Sequence, residues 1–314
     1  VVKSMKDQYG IKTFAVGFAI ASGNKNNYED LADNGGTDDP LYADNEGQLL
    51  TTLTDAIKQA ISGTLTYTTP AVMSEKQRGN YIYQSTFKYS TSTQWEGHLK
   101  KIRLNTNGSL GATQWDAADR LNKKSYTSRN LWTAGISTVS TNNFTTTNRD
   151  ELKKFLFPNT VPTDTEVDNL INFIRGIDTY DEDDDNNTTE TRHKLADIYH
   201  SDLVVVGPPE GSTENDSSSN FTKKDAYYRS QNNYNGFKNG TSCGGSCQSR
   251  KEVVIAGSNG GILHAFDTSN GEELWGYIPP NILGKLSTMV SSKANTTNAI
   301  YGIDGSPVVK DIYF

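Results

Sequence analysis

The alternation of apolar and polar residues divides the chain into two parts with different periods. In the first part, the run Ile11–Ile20 is almost continuously apolar, as a buried parallel strand requires. A short helix ending at Gly35-Gly36, a short strand at residues 40–44 and an amphipathic helix over residues 45–63 follow it. This succession predicts an α/β unit over residues 1–63.

Beyond Gly63 the apolar period changes to two, which is typical of antiparallel strands. The runs "YIYQSTFKYS" and "WEGHLKKIRL" predict such strands, and a turn is predicted at Thr106–Gly108. Strands are predicted again at residues 197–209, 252–280 and 301–314. Residues 64–314 are therefore expected to be rich in β-structure, with a long polar insertion at residues 210–250.

A helical stretch interrupts the predicted strands. Residues 148–158 form one candidate helix, which Pro158 ends. The next begins at Thr163, which has Glu166 three residues later in the spacing of a capping box. The second helix is expected to bury one face, formed by Val167, Leu170, Ile171 and Ile174.

The segment Val253–Pro279 carries the most informative pattern, a strand, a Gly-rich turn, a strand, a "TSNG" turn and a strand ending in Trp275. Glycines supply the turn positions that need a positive φ. This pattern is similar to the repeat of quinoprotein-type β-propellers. His264 lies in the middle strand, where a packed or hydrogen-bonded histidine is a more common finding than a metal ligand.

A longer series of motifs extends this resemblance. "WEGHLKKIRL", "RHKLADIYHSDLVVVGPP", "GSNGGILHAFDTSNGEELWGYIPPNIL" and "YGIDGSPVVKDIYF" occur in this order. Together they resemble the C-terminal propeller domain of the PilY1/PilC family of type IV pilus tip-associated adhesins, over roughly Gly79 to Phe314. Ala196 stands where the family usually has Gly, and Leu203 where it often has Pro. The first 63 residues look like the C-terminal half of a von Willebrand factor A (vWA) domain, which commonly precedes this propeller.

The resemblance implies a mainly β fold, a modified quinoprotein-like β-propeller over residues 64–314 preceded by a vWA-like α/β fragment over residues 1–63. It implies an extracellular, non-enzymatic adhesin at the pilus tip, exported through the periplasm. Such a protein would mediate surface attachment and support pilus assembly and twitching motility. Its partners would be minor pilins and a host or abiotic surface receptor. A quinoprotein-type oxidoreductase and a glycan-binding lectin are the alternatives on the same scaffold.

The acidic stretch that begins at Asp178 is a candidate calcium site. Oxygen-bearing residues alternate through it, as in the first positions of an EF-hand loop, and Asn186 stands where that loop has Gly. The position of the closing glutamate of an EF-hand is Arg192, so Glu190 would supply the last carboxylate in a shorter loop. The expected ligands of one calcium ion are Asp181, Asp183, Asp185, Asn187 and Glu190. A solvated acidic loop is the alternative.

Composition and charge narrow the classes of partner. The chain has 314 residues, a formal net charge of −7 and no basic stripe, and nucleic-acid binding requires clustered Lys and Arg. No apolar run is long enough to predict a transmembrane segment. The vWA adhesion metal site needs an Asp-x-Ser-x-Ser loop that is not in this sequence, so we do not assign it.

The sequence contains two cysteines, Cys243 and Cys247, in "TSCGGSCQSR". A second Cys pair that would complete a zinc site is not in the sequence. We predict a disulfide between the two, which indicates an oxidising location, and two free thiols are the alternative. The run "GSPVVKDIYF" is typical of the beginning of a propeller blade. We therefore expect a longer polypeptide, or another chain that pairs with Val308–Phe314.

Overall fold

In the computed structural model the chain divides into two compact units, Val1–Thr64 and Leu65–Phe314. The structure describes residues 1–9, 11–21, 23, 25–37, 40–45, 48–49, 52–53, 64–65, 80–214 and 221–311. The assignment of the two units to a vWA-like fragment and a propeller stays a prediction.

The first unit has the predicted α/β character. It contains α1 (Val2–Tyr9), β1 (Val16–Phe18), α2 (Asn26–Gly35) and β2 (Leu41–Ala43), and the two strands pair in parallel. Helix α2 ends as predicted, because Gly36 adopts the left-handed conformation with φ of 79°. Most of the helix predicted over residues 45–63 lies outside the described residues.

The buried strand predicted over Ile11–Ile20 is too long. Only Val16–Phe18 pair as a strand, and the Phe18 side chain is 51% exposed. Thr13 instead binds the end of α2, since its N–H donates to the carbonyl of Gly35 at 3.0 Å. The first half of the apolar run therefore packs against a helix end and not within a sheet.

Among its described residues, the second unit contains two arrangements of strands. The first is a meander of β4 (Tyr81–Lys88), β5 (Glu96–Leu104) and β6 (Leu110–Asp116), while β3 (Thr64–Leu65) lies at the division between the units. Tyr81 pairs with Arg103 and Lys88 with Glu96, which confirms the predicted strand pair. Gly97 of β5 has no room for a side chain, because a Cβ there would lie 2.1 Å from the carbonyl oxygen of Ala196.

The second arrangement is a five-stranded sheet in the order β7-β11-β10-β9-β8. It contains β7 (Leu131–Thr133), β8 (Val204–Val206), β9 (Val253–Gly257), β10 (Leu263–Asp267) and β11 (Glu273–Ile278). Strands β8 to β11 form an antiparallel meander in chain order, and β7 is added in parallel to β11. The strand, turn and strand pattern predicted for Val253–Pro279 is confirmed.

Helices come before, between and after these strands along the chain. They are α3 (Ala117–Lys123), α4 (Arg149–Leu156), α5 (Asp164–Arg175), α6 (Phe221–Gln231), α7 (Tyr234–Lys238) and α8 (Pro280–Leu286), with 3-10 turns at Tyr126–Ser128, Thr146–Asn148 and Ser287–Met289. The predicted capping box is confirmed, because the Thr163 hydroxyl accepts from the Glu166 N–H and the Glu166 carboxylate accepts from the Thr163 N–H. Helices α6 and α7 lie inside the polar insertion, for which no helix was predicted.

Two hydrophobic clusters form the core in the described part of the second unit. One joins α4, α5 and α8 through residues such as Leu152, Leu170 and Leu283, each fully buried. The other joins β5, α3 and β9 through Leu99, Leu121 and Val254. The four residues predicted for the buried face of α5, Val167, Leu170, Ile171 and Ile174, all belong to the first cluster.

The predicted fold class is confirmed in part, since the chain contains both sheets and helices. About 29% of the described residues are helical and 22% are in strands, so the described part is more mixed than the predicted mainly β class. The described strands close no barrel, and the propeller itself stays a prediction. The strand predicted at residues 301–314 is not formed over residues 301–311, because this segment is held by isolated bonds and not by a ladder. The Ile303 N–H donates to Ser258 O at 3.0 Å, and Ser306 Oγ accepts from the Asp202 N–H at 3.0 Å.

Candidate functional site

The predicted calcium ligands lie in one closed loop, residues 178–190, which we call the acidic loop. It begins just after α5, which ends at Gly176 with φ of 116°. An isolated antiparallel bridge pairs Ile177 with Thr191, and the Asp178 N–H donates to Glu190 O at 2.9 Å. The chain therefore leaves and returns at one point, and backbone hydrogen bonds close the base of the loop.

Short polar side chains fix the backbone inside the acidic loop. Asp181 Oδ1 accepts from the backbone N–H groups of Asp185 and Asn186, both at 3.0 Å. Asp181, Asp184 and Asn186 have φ of 52°, 62° and 66°. Asn and Asp tolerate this left-handed conformation better than other side chains. Asn186 thus takes the backbone conformation that Gly has at the equivalent position of an EF-hand.

Two overlapping groups of carboxylates converge in the loop. Asp181, Asp183 and Asp185 form one group, and Asp178, Asp183 and Glu190 form the other. Within each group the candidate ligand oxygens all lie within 4.8 Å of one another. Asp183 belongs to both. The structure therefore brings four of the five predicted ligands together, in two groups that share one aspartate.

Asp178 is the member of this site that sequence reasoning missed. Its side chain is only 3% exposed, and Oδ2 accepts from the Glu182 N–H at 2.8 Å. The other oxygen, Oδ1, is buried and has no hydrogen-bond partner among the described residues. A buried carboxylate oxygen without a donor is costly unless a cation or a proton binds it. The only sequence signal was its place at the first position of the acidic stretch.

Crowding of the carboxylates changes their titration. Burial raises the pKa of Asp178, and the charge of Glu182 adds to this effect. Desolvation also raises the pKa of Glu190, with further contributions from the charges of Asp185, Asp183 and Asp178. Both shifts disfavour the ionised form. A cation bound among these oxygens would reverse this penalty, because it supplies the opposite charge.

The donor set fits a hard cation. All the converging groups are oxygen donors, which calcium prefers and which it binds in sets of roughly six to eight. Asn187, the remaining predicted ligand, is used differently in the structure. Its Oδ1 accepts from the N–H and the hydroxyl of Thr189, at 3.2 and 2.8 Å, and its Nδ2 donates to Glu190 at 3.4 Å. The assignment of calcium and of its five ligands stays a prediction.

Further contacts tie the acidic loop to distant parts of the unit. Arg192 forms an ion pair with Glu182 at 2.8 Å and covers the Phe173 ring at 3.9 Å. Glu182 also accepts from the Thr297 hydroxyl, and Asp184 accepts from the Asn295 side-chain amide. A change in the loop conformation would therefore be transmitted directly to residues 295–297.

The two cysteines lie together in the turn that follows α7. The Cα atoms of Cys243 and Cys247 are 6.1 Å apart, inside the range of disulfides, and their sulfur atoms are in bonding contact. Cys247 is buried and Cys243 is half-buried. The position is thus compatible with the predicted disulfide.

Comparison with known proteins gives relatives with one common description. The chain is 27% identical over 242 residues to the type IV pilus biogenesis factor PilY1 of Pseudomonas aeruginosa strain UCBPP-PA14. The aligned region covers 74% of this chain and 19% of that protein. Against PilY1 of strain PAO1 it is 26% identical over 293 residues, covering 87% of this chain and 23% of the relative. This chain is a relative of the PilY1 proteins. The family resemblance found in the motifs is thereby confirmed.

The PilY1 relatives also define how far the similarity extends. A PilY1 homolog of Xylella fastidiosa is 29% identical over 119 residues, which is 38% of this chain and 8% of that protein. The chain spans about a fifth of the length of the curated Pseudomonas relatives that it matches. No family model matches the chain, and no solved structure does.

Proposed function

We propose that this chain is part of an extracellular type IV pilus biogenesis factor that is also an adhesin at the pilus tip. The observation that carries the proposal is the similarity to PilY1 over 74% to 87% of the chain. Those relatives are named as biogenesis factors, and we assign a non-enzymatic role on the same basis. The protein supports pilus assembly and twitching motility and attaches the pilus to a host or abiotic surface.

The architecture proposed for this role is a propeller preceded by a vWA-like fragment. Strands β8 to β11 support it, because four antiparallel strands in chain order are the plan of one propeller blade. The parallel pair β1 and β2 beside α2 supports an α/β fragment. In this arrangement the vWA-like part presents the tip surface, and the propeller anchors to minor pilins.

The proposed location is the pilus tip at the cell surface, after export through the periplasm. Among the described helices, none is long and apolar enough to cross a membrane. A disulfide between Cys243 and Cys247 would form in the oxidising environment outside the cytoplasm.

The acidic loop holds calcium in this proposal. Its support is the convergence of Asp183 with Asp178 and Glu190, together with the buried and unpartnered Oδ1 of Asp178. Asp181 fixes the loop backbone through its two backbone hydrogen bonds. When bound, calcium would supply the positive charge that these carboxylates lack, and it would hold the loop against residues 295–297.

A chimeric protein tests the biological role. The matching segment of PilY1 in a Pseudomonas aeruginosa strain would be replaced by this chain, and a strain lacking the segment would be the control. We expect the chimera to restore surface pili and twitching zones, and to be found in pili sheared from the cells. A chimera that is exported and stable, yet gives no pili and does not copurify with them, would overturn the proposal.

A further inference from the structure

A cavity of about 670 Å³ lies in the polar insertion, away from the acidic loop in sequence. Residues of α6 and α7 form one side of it, and Val309, Lys310 and Asp311 form another. Cavities of a few hundred to about 1,000 Å³ are the usual size of small-molecule sites.

Aromatic rings give the cavity its apolar surface. Tyr228 is 57% exposed, although a large apolar ring at the surface loses the gain from burial. Tyr234 is only 9% exposed and packs against Phe237 with 5.8 Å between ring centroids. The cavity thus combines a fixed aromatic pair with one accessible ring, which offers a flat face to a ligand.

Hydrogen bonds hold the wall of the cavity in place. The Tyr234 hydroxyl donates to Asp311 Oδ2 at 2.7 Å and accepts from the Gly211 N–H at 3.1 Å. Arg250 donates to the other oxygen of Asp311 at 2.8 Å. The charge of Asp311 is therefore neutralised within the wall, and the ring of Tyr234 has one fixed orientation.

Three polar side chains around the cavity keep unused hydrogen-bonding atoms. Asn232 and Asn233 use their Nδ2 atoms, which donate to Tyr228 O at 2.8 Å and to Ser242 Oγ at 3.1 Å. Their Oδ1 atoms accept no hydrogen bond from the described residues. Arg229 donates from Nε to Ser212 O at 2.8 Å, while its two terminal nitrogens donate to no described residue.

These groups match the chemistry of a sugar. Sugar hydroxyl groups can donate to the amide oxygens of Asn232 and Asn233 and accept from Arg229, because a hydroxyl is both a donor and an acceptor. The apolar face of a sugar ring fits the exposed face of Tyr228. The other charges that line the cavity are paired, since Asp225 lies 3.4 Å from Lys310 and Asp311 pairs with Arg250. A polyhydroxylated ligand needs no strong net field, whereas a highly charged one would.

We propose that this cavity binds a saccharide, with Tyr228 as the stacking surface and Arg229, Asn232 and Asn233 as hydrogen-bonding groups. The proposal rests on the proposed attachment function only for its biological use, where the sugar would belong to a surface glycan. The binding itself depends on the cavity alone.

Saturation-transfer NMR on the 314-residue chain tests the binding, with lactose, methyl mannoside, N-acetylglucosamine and 3′-sialyllactose as probes. We expect at least one probe to bind with Kd between micromolar and about 1 mM. Tyr228→Ala and Arg229→Gln should each raise that Kd about tenfold or more. Tyr227→Ala is the matched control, because Tyr227 is a 37% exposed neighbour on α6 that does not line the cavity.

The proposal is overturned if none of the probes binds at roughly 10 mM, or if the Tyr227→Ala variant weakens binding as much as the Tyr228→Ala variant. Stronger binding of sialyllactose than of lactose, lost in Arg229→Gln, would assign the guanidinium to the sugar carboxylate, and equal binding would assign it to hydroxyl groups. Failure of the saccharide proposal can be distinguished from failure of the proposed function. A chimera that restores pili although the chain binds no sugar would overturn only the saccharide proposal. Sugar binding without restored pili would overturn only the pilus role.

Discussion

Arg129 and Glu273, which are 144 residues apart in the sequence, form a two-pronged ion pair that is closed to solvent. Arg129 Nε and one terminal nitrogen each donate to a different carboxylate oxygen of Glu273, both at 2.8 Å. The exposed fractions are 0% and 1%. Arg129 also donates to the carbonyls of Ile174 and Arg175, so one side chain joins β11 to the end of α5.

His264 completes this buried group. Its Nδ1 lies 2.8 Å from Glu273, and its Nε2 lies 3.1 Å from Ser258 Oγ. Burial opposes ionisation of Glu273, but the Arg129 charge and the hydrogen bonds from Arg129 and His264 outweigh it and hold the pKa of Glu273 below its usual value. The interpretation of His264 as a packed, hydrogen-bonded residue is confirmed.

Removing the charge of Glu273 should destabilise the second unit strongly. In Glu273→Gln the buried Arg129 loses its counter-charge, and leaving a buried charge unpaired costs about 3–5 kcal/mol. Urea denaturation would measure the loss. Lys88→Ala is the control, because Lys88 and Glu96 form an exposed pair at 3.4 Å, and such pairs contribute at most about 1 kcal/mol. Equal losses for the two variants would contradict the assignment.

The double variant Arg129→Met with Glu273→Leu replaces both charged residues by apolar ones. It distinguishes the contribution of the ion pair from that of general packing. It leaves neither member of the pair buried without its partner, so its loss of stability should be smaller than that of Glu273→Gln alone. Arg129→Met and Glu273→Leu would also be measured singly, and a loss in the double variant equal to the sum of these two losses would mean that the residues do not act together.

Calcium should bind to the acidic loop, and this binding should depend on Asp183. Asp183 belongs to both carboxylate groups, so Asp183→Asn removes one charge from each. Isothermal titration after removal of calcium with a chelator should give binding to the unchanged chain and at least tenfold weaker binding to the variant. Asp202→Asn makes the same change of charge at an exposed aspartate outside the loop, and it should bind as the unchanged chain does. Absence of heat from the unchanged chain would leave the solvated loop as the better interpretation.

Calcium binding should weaken in acid. The metal-free loop holds protons at a higher pH than ordinary carboxyl groups do, because the pKa values of Asp178 and Glu190 are raised above 3.8 and 4.5. Calcium competes with these protons. The increase in Tm on adding calcium should therefore be complete at neutral pH and decline as the pH falls toward these pKa values. Thermal unfolding with and without calcium at a series of pH values would measure it, and an increase in Tm that does not change with pH would contradict it.

Local signals in the sequence were sufficient where a structure depends on neighbours along the chain. The Thr163 and Glu166 cap, the β4 and β5 pair and the turns of Val253–Pro279 are of this kind. Spacing likewise placed Asp181, Asp183 and Asp185 together, because alternating residues of a tight loop can point to one centre.

Structures that depend on contacts between residues far apart in the sequence could not be predicted. Nothing near Arg129 in the sequence indicates that Glu273 neutralises it, and Asp178 joins the acidic site only because the bridge from Ile177 to Thr191 closes the loop. The apolar run Ile11–Ile20 predicted too long a strand, because an apolar run does not reveal which element it contacts. The segment at residues 301–311 has strand-forming residues, but its hydrogen bonds go to isolated side chains and loop carbonyls.

The cysteine pair should add rigidity locally and little stability globally. Cys243 and Cys247 are separated by only four positions, and the stabilisation from a disulfide grows with the length of the loop that it closes. Thiol labelling of the unfolded, unreduced chain should find neither cysteine free. Reduction should leave the urea midpoint nearly unchanged. Stoichiometric labelling of both thiols without a reductant would contradict the pairing.

Removing the charge of Asp197 should have the opposite effect to removing that of Glu273. The negative charge of Asp197 is expected to destabilise the fold, so its removal should raise the stability. Its side chain is 1% exposed, and burial raises its pKa to about 6, although a hydrogen bond from Asn259 Nδ2 at 2.6 Å opposes the shift. The Oδ1 atom of Asn259 is also buried and accepts no hydrogen bond from the described residues. The folded chain therefore keeps a proton on Asp197 up to a higher pH than an exposed aspartate would.

The stability that this group contributes is complete below its ordinary pKa of 3.8 and is lost as the pH rises through about 6. Asp197→Asn keeps the shape but removes the charge, and the new amide can donate to Asn259 Oδ1. We expect the variant to gain stability over the unchanged chain from about pH 4 upward, and the difference to level off above pH 6 at roughly 2–3 kcal/mol. Urea unfolding of both proteins across this range measures the difference. If the difference in unfolding free energy is the same at pH 4 and pH 7, the carboxylate of Asp197 is ionised in the folded chain without penalty, and its burial is compensated by a donor other than Asn259.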